Sequence, residues 1–162
     1  HTYFSFCYGT LSPEQLLHEV MSQGYNAFVL SDINNTSAIL DSIRLSITDY
    51  KDKNIKVIPG IDFRNGVKQQ YVGIAKNNLG FKELNVHLTL HLHATKDFEN
   101  RAPEFYHSYI VYPLQNYTGW ALRENEFIGI SIKDLQRISF SAVKNQTEKL
   151  ISNAFFLICR VV

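Results

Sequence analysis

Apolar positions along the chain fall into two periods, and the switches between them mark the elements. Residues 2–7 are aromatic-rich and read as a strand, broken at Gly9. Ser12 has the character of an N-cap, with Pro13 at the first helical position and Gln15 completing a capping box. Leu16, Leu17, Val20 and Met21 then share one helical face, and Gly24 is placed to end that helix. Residues 27–30 form a short continuous apolar run, the pattern of a buried strand in a parallel sheet. Asn34, Asn35 and Thr36 can cap a second helix, whose Ile39, Ile43 and Ile47 sit four apart with Leu40 alongside. After a polar exit at 51–54, residues 56–63 read as a strand. Asn65-Gly66 predicts a type I′ hairpin, and a strand at 69–75 follows. Residues 77–80 turn the chain into a third helix with Phe81, Leu84, Leu88 and Leu92 as its apolar stripe. The second half is less regular: a polar loop at 96–103, strands at 109–112, 127–130 and 151–158, and a short helix at 133–137.

Strand–helix–strand at this spacing predicts right-handed βαβ units, an α/β fold with parallel strands and flanking helices. No repeat, linker or low-complexity tract divides the chain, so residues 1–162 read as one domain. In such folds the functional site lies beyond the C-terminal ends of the strands. Three places follow: residues 1–9, 31–34 and 60–62.

Composition adds exclusions. With 45% hydrophobic and 13% aromatic residues the chain can build a core and is not of the disordered class. A net charge of +1 gives no basic excess of the kind a free-standing nucleic-acid binder carries, so contact with DNA would come through another part of a larger assembly. Cys7 and Cys159 are far apart and outside any CxxC, and they read as two buried free thiols. No leader peptide and no membrane-length apolar run is visible, which points to the cytoplasm and away from a membrane. The first residue is His and the last stretch is apolar, which reads as a piece cut from a longer protein.

The three selected places carry a family resemblance. His1-Thr2-Tyr3-Phe4-Ser5 through Gly9, followed by Leu11-Ser12-Pro13-Glu14, resembles the opening motif of PHP (polymerase and histidinol phosphatase) domains. Leu30-Ser31-Asp32-Ile33-Asn34 resembles the second motif, and Val57-Ile58-Pro59-Gly60-Ile61-Asp62 the third. Gly73-Ile74-Ala75-Lys76-Asn77, then Gly80-Phe81 and Leu84, is similar to a stretch of bacterial DNA polymerase III alpha subunits. The match runs through about residue 93 and is weak beyond, apart from 122–127. The resemblance implies a partial, distorted (β/α)7 TIM-like barrel. It also implies a parent acting in DNA replication as a nucleotidyltransferase, whose polymerase carboxylates lie outside this chain.

Metal-bearing members of the family hold up to three ions in the barrel mouth, where they activate water against a phosphoester. Position by position, His1 matches the first ligand. Tyr3 stands where His or Glu is expected, and Tyr8 where Asp is expected. Asp32 matches, but Ile33 replaces a neighbouring His. Asp62 stands for a Glu, and Gln70 falls where polymerase relatives carry His, in an alignment that can slip by one. This vestigial site implies no catalytic residue and no metal. If an ion binds, His1, Asp32 and Asp62 are its ligands and Zn or Mn the cofactor. Two readings of Asp32 stand side by side, a cap of the following turn or a member of a remnant polar cluster. Asp62 can anchor Arg64 by a hydrogen bond or ion pair, and Tyr3 and Tyr8 can fill space with their hydroxyls bonded.

His87 and His91 have i, i+4 spacing, but no Glu follows His87 and His93 points elsewhere on a helix. The three read as a solvated or partly buried face in preference to a zinc site. There is no GxxxxGK[ST], no GxGxxG after a strand and no GxSxG. The expectation is a structural and interaction domain whose partners are the rest of a polymerase alpha subunit and a proofreading exonuclease. The alternative is a divergent metal-dependent phosphoesterase or 3′–5′ exonuclease. A plain α/β binding module is the third reading.

Overall fold

A computed structural model describes residues 1–131 and Asp134. It is a mixed α/β fold built on one five-stranded sheet in the order β1-β2-β3-β4-β5. The strands are β1 (Ala27–Ile33), β2 (Lys56–Asn65), β3 (Lys68–Ala75), β4 (Ser108–Pro113) and β5 (Glu126–Gly129). β1 pairs β2 in parallel and β4 pairs β5 in parallel, while β3 is antiparallel to both of its neighbours. Four strands therefore run one way and β3 the other. The antiparallel β3 follows from the two-residue hairpin that joins it to β2, since a tight hairpin joins only antiparallel strands, and the parallel expectation holds for β1–β2 and β4–β5. Among the described residues the sheet is open. The expected strand at 151–158 lies outside them, as does the expected helix at 133–137 apart from Asp134.

Helix α1 (Pro13–Ser22) starts as its sequence dictates. Ser12 Oγ accepts the Gln15 N–H at 3.1 Å, and Gln15 Oε1 accepts the Ser12 N–H at 2.9 Å. Gly24, at φ +80°, takes the left-handed conformation past its end. Helix α2 (Ser37–Thr48) follows β1. The expected cap residues are used differently: Thr36 makes no side-chain cap bond, and Asn35 Oδ1 accepts the Ser37 N–H at 2.7 Å. Asn34 is diverted to β2, as described below. Helix α3 (Asn78–Ala94) is capped by Asn77, whose Oδ1 accepts the Gly80 N–H at 3.0 Å.

Two apolar clusters hold the layers together. Leu16, Leu17, Val20, Ala38 and Ile39 of α1 and α2 pack on Leu30 of β1 and Val57 of β2. Leu84 and Leu88 of α3 pack on Ile61, Phe63, Tyr71, Ile110 and Tyr112 of the sheet, with Phe98 and Phe105 from the connecting loop. Each fully buried Leu, Ile or Phe is worth about 1.5–3 kcal/mol relative to exposure. The predicted stripe of α3 is rotated: Leu92 is 54% exposed, and His87 takes a buried place instead.

The hairpin also departs from expectation. Its paired ends are Asn65 and Lys68, so the loop is Gly66-Val67. Gly66 has φ +59° and neither Asn65 nor Val67 has positive φ, which is the II′ pattern and not I′. Val67 is β-branched and resists the second positive φ that a I′ turn centred on 66–67 would need. Residues 2–7 form turns and not a strand, for reasons that lie in the site.

Candidate functional site

Asp32 and Asp62 come together because β1 and β2 are parallel neighbours. Ile33 pairs with Asp62 in register, which sets Asp32 one residue away on the adjacent strand. Both carboxylates are 1% exposed. A buried charge must be met by hydrogen bonds or an opposite charge, and each of these is met in its own way.

Asp32 is satisfied by the N-terminal segment. Oδ1 accepts the Thr2 N–H at 2.6 Å and the Ser5 hydroxyl at 2.7 Å, and Oδ2 accepts the Thr2 hydroxyl at 2.6 Å. Ser5 Oγ in turn accepts the Ile33 N–H at 2.9 Å. These bonds explain why residues 2–7 are not a strand. The chain is wound around a carboxylate, with Ser5 N–H on the Thr2 carbonyl and the Tyr8 and Gly9 N–H groups on the Ser5 carbonyl. Gly9 lies against the Thr2 carbonyl so closely that any Cβ there would overlap it. None of the donors to Asp32 comes from α2, so its bonding is that of a polar cluster and not of a helix cap.

Asp62 is satisfied by a cation. Arg64 Nε and Nη2 both donate to Oδ2, at 2.9 and 2.7 Å, and Gln69 Nε2 donates to Oδ1 at 2.9 Å. His1 Nε2 stands 3.5 Å from the same Oδ2, and His1 Nδ1 is 3.3 Å from Ser5 Oγ, which links the two carboxylates. Arg64 is itself 8% exposed, and its guanidinium lies 4.2 Å from the centroid of the Tyr8 ring. Burial alone would lower its pKa. The Asp62 hydrogen bonds and charge, with a smaller contribution from Tyr8, outweigh that and hold it above its ordinary value. The backbone of Arg64 is gripped separately. Asn34 Nδ2 donates to its carbonyl at 2.8 Å, and Asn34 Oδ1 accepts its N–H at 2.9 Å. Asn34 reaches it from a left-handed conformation, φ +47°.

The remaining sequence-selected residues sit at varying distances from this pair. Tyr8 covers Arg64 and makes an edge contact with His1, ring centroids 5.9 Å apart. Tyr3 is 50% exposed, and its ring packs against Phe4, centroids 4.6 Å apart. Ile33 is half-buried and contributes a backbone N–H. Gln70 is buried, with Nε2 on the Lys68 carbonyl at 3.4 Å and Oε1 unpartnered. Its neighbour Gln69 bonds Asp62 instead. The cause is a bulge: the register shifts between Phe63 and Arg64, so Arg64 pairs with Gln69 and Phe63 with Tyr71, leaving Gln70 as the extra residue.

Thr2, Ser5, Asn34 and Gln69 are the site residues that pattern reasoning did not single out. Thr2, Ser5 and Asn34 lie inside the quoted motifs, which was the available signal. Cys7, expected to be buried, is exposed, because the turns about Asp32 face it outward at φ +64°.

The histidines of α3 form a separate cluster. His87, 9% exposed, pairs its Nε2 with the Tyr71 hydroxyl at 2.7 Å. His91 Nδ1 donates to the His87 carbonyl at 2.9 Å, and its Nε2 lies 3.3 Å from Glu99. Burial first, then the neighbouring His91, push the His87 pKa down to about 4.

The residues do not fit a divalent ion. Asp32 and Asp62 each already accept three hydrogen bonds from the chain, and the Asp62 side holds a full positive charge within 3 Å, which opposes a second cation there. No group of three or more His, Cys, Asp or Glu with ligand geometry occurs among the described residues. No helix among them is long and apolar enough to cross a membrane.

No curated relative matches the chain at a significant level. The family model of the PHP domain matches residues 1–133, through all five strands and both carboxylates. That domain defines a superfamily of metal-dependent phosphoesterases, and the chain belongs to the PHP domain family.

Proposed function

We propose that this chain is the N-terminal PHP domain of a replicative DNA polymerase III alpha subunit, serving as a structural and interaction domain with no phosphoesterase chemistry of its own. In this reading the five-stranded sheet is the first part of a distorted (β/α)7 barrel, and its partners are the remainder of the alpha subunit and a proofreading exonuclease. DNA is met only through the parent protein.

One observation carries the loss of chemistry. Both buried carboxylates are met by the chain's own donors, three on Asp32 and three on Asp62, and two of the Asp62 donors belong to a guanidinium, whose charge opposes a divalent ion beside it. The polymerase assignment is supported by the segment from Gly73 to Leu84. It forms the end of β3, the Asn77 cap and the first turns of α3, with Lys76 Nζ 4.4 Å from the Tyr109 ring.

The test has two arms. Hydrolysis of a chromogenic phosphodiester is measured with Mn²⁺ or Zn²⁺ against a chelated control, and the rates should coincide. Turnover that depends on the ion and is lost in Asp32→Ala would establish the enzyme reading instead. In the second arm the chain is used as bait for replication subunits, and recovery of a polymerase or exonuclease subunit is the expected result. Consistent failure to recover either would favour a binding module of another system.

A further inference from the structure

We propose that the Arg64 guanidinium is the resident cation of this site. It is a covalently attached substitute for the metal charge, and it closes Asp62 to divalent ions. The inference rests on the non-catalytic reading of the site and is independent of the polymerase assignment.

Four observations converge. Asp62 is 1% exposed and needs a counter-charge wherever it is ionised. Arg64 supplies it through two donors on one oxygen, at 2.9 and 2.7 Å, and Gln69 donates to the other oxygen at 2.9 Å, so both oxygens already have partners from the chain. The guanidinium is roofed by the Tyr8 ring at 4.2 Å, which shields the pair from water. Finally, Asn34 fixes the Arg64 backbone from both its N–H and its carbonyl, so the side chain departs from a fixed point. An ordinary surface ion pair has none of these: its partners are solvated, mobile and worth little. A divalent ion entering here would have to displace a buried guanidinium, or sit beside it as a like charge in a medium of low dielectric.

The exchange of charges is testable on the full chain by melting it with and without MnCl2, together with metal analysis after gel filtration. The parent chain should hold no stoichiometric Mn²⁺, and its Tm should not move on adding the ion. Arg64→Gln, which leaves Asp62 buried and unpaired, should melt roughly 10 °C lower. Mn²⁺ should recover much of that loss. The double variant Asp62→Asn with Arg64→Gln removes both charges. It should melt above the single Arg64→Gln variant and ignore Mn²⁺. If Arg64→Gln fails to fold, the double variant still decides: a folded double variant supports charge compensation, and a double variant that also fails shows that Arg64 acts through packing and overturns the proposal. Stoichiometric Mn²⁺ in the parent chain, lost in Asp62→Asn, would also overturn it. A parent chain that binds Mn²⁺ yet hydrolyses nothing refutes this inference alone, whereas Mn²⁺-dependent hydrolysis refutes the functional reading.

Discussion

Asp32→Ala is the sharpest probe of the wound N-terminal segment. The substitution removes the acceptor of three buried donors: the Thr2 N–H, the Thr2 hydroxyl and the Ser5 hydroxyl. A buried donor left without a partner costs about 1–3 kcal/mol. The donors are not equal. Ser5 Oγ can turn its proton toward His1 Nδ1, 3.3 Å away, and keep the bond it accepts from Ile33. The Thr2 N–H is fixed by the backbone and has no such choice. Counting the two Thr2 donors in full and Ser5 at the low end gives about 3–7 kcal/mol. That is a large fraction of the 5–15 kcal/mol typical of a domain. The assay is urea denaturation followed by far-UV circular dichroism. The midpoint should fall with m unchanged, because the surface exposed on unfolding stays nearly the same. Ser5→Ala should cost about 1 kcal/mol, and Asp32→Asn should fall between the two, since its amide keeps one oxygen and turns an N–H2 toward the donors. An Asp32→Ala midpoint within error of the parent, or a Ser5→Ala variant weaker than Asp32→Ala, would refute the view that this carboxylate organises residues 2–9.

Two further outcomes follow from the α3 side of the sheet. Between pH 6.5 and about 4 the unfolded chain protonates His87 while the native state does not, so stability should fall as pH drops through that window. His87→Gln keeps a hydrogen-bonding partner for Tyr71 and removes the titration. It should flatten that acid limb by on the order of 2 kcal/mol in pH-dependent thermal melts, and an unchanged profile would assign the slope elsewhere. Glu126 is 4% exposed and accepts from Tyr112 at 2.8 Å, Arg123 at 2.9 Å and Arg101 at 3.1 Å. Glu126→Ala should cost about 2 kcal/mol in urea titration, because it leaves the buried Tyr112 hydroxyl without its acceptor, while Arg101 and Arg123 keep backbone carbonyls of Ala121, Ala102 and Pro103. A loss under about 1 kcal/mol would show that the Tyr112 hydroxyl finds another acceptor.

Much of the fold was legible because its signals are local. The capping box at Ser12, the apolar run that opens β1 and the helix start near Asn77 involve residues within a few positions of one another; the structure places the box as read, extends the strand to Ile33 with Leu30 alone of 27–30 buried, and starts α3 at Asn78. The site was legible in its carboxylates and illegible in their partners. Asp32 meets Thr2 across thirty positions, a pairing set by tertiary winding and not by any period. Gln69 replaced Gln70 at Asp62 because a bulge inserts one residue into β3, and a bulge without a glycine leaves no mark in an alternating pattern. The α3 stripe misled at Leu92 for a related reason. The loop carrying Phe98 packs on His87 and His91 and draws that side of the helix inward, with Phe98 stacked 4.7 Å from His91.

The grip of Asn34 on Arg64 resembles an extra rung of sheet made from a side-chain amide. One carboxamide serves the N–H and the carbonyl of residue 64, the two groups a neighbouring strand would otherwise serve. The path of the chain at that point is thus set without help from whatever side chain residue 64 carries. Position 64 is a socket: Asn34 holds its backbone, and the side chain it carries decides which charge faces Asp62.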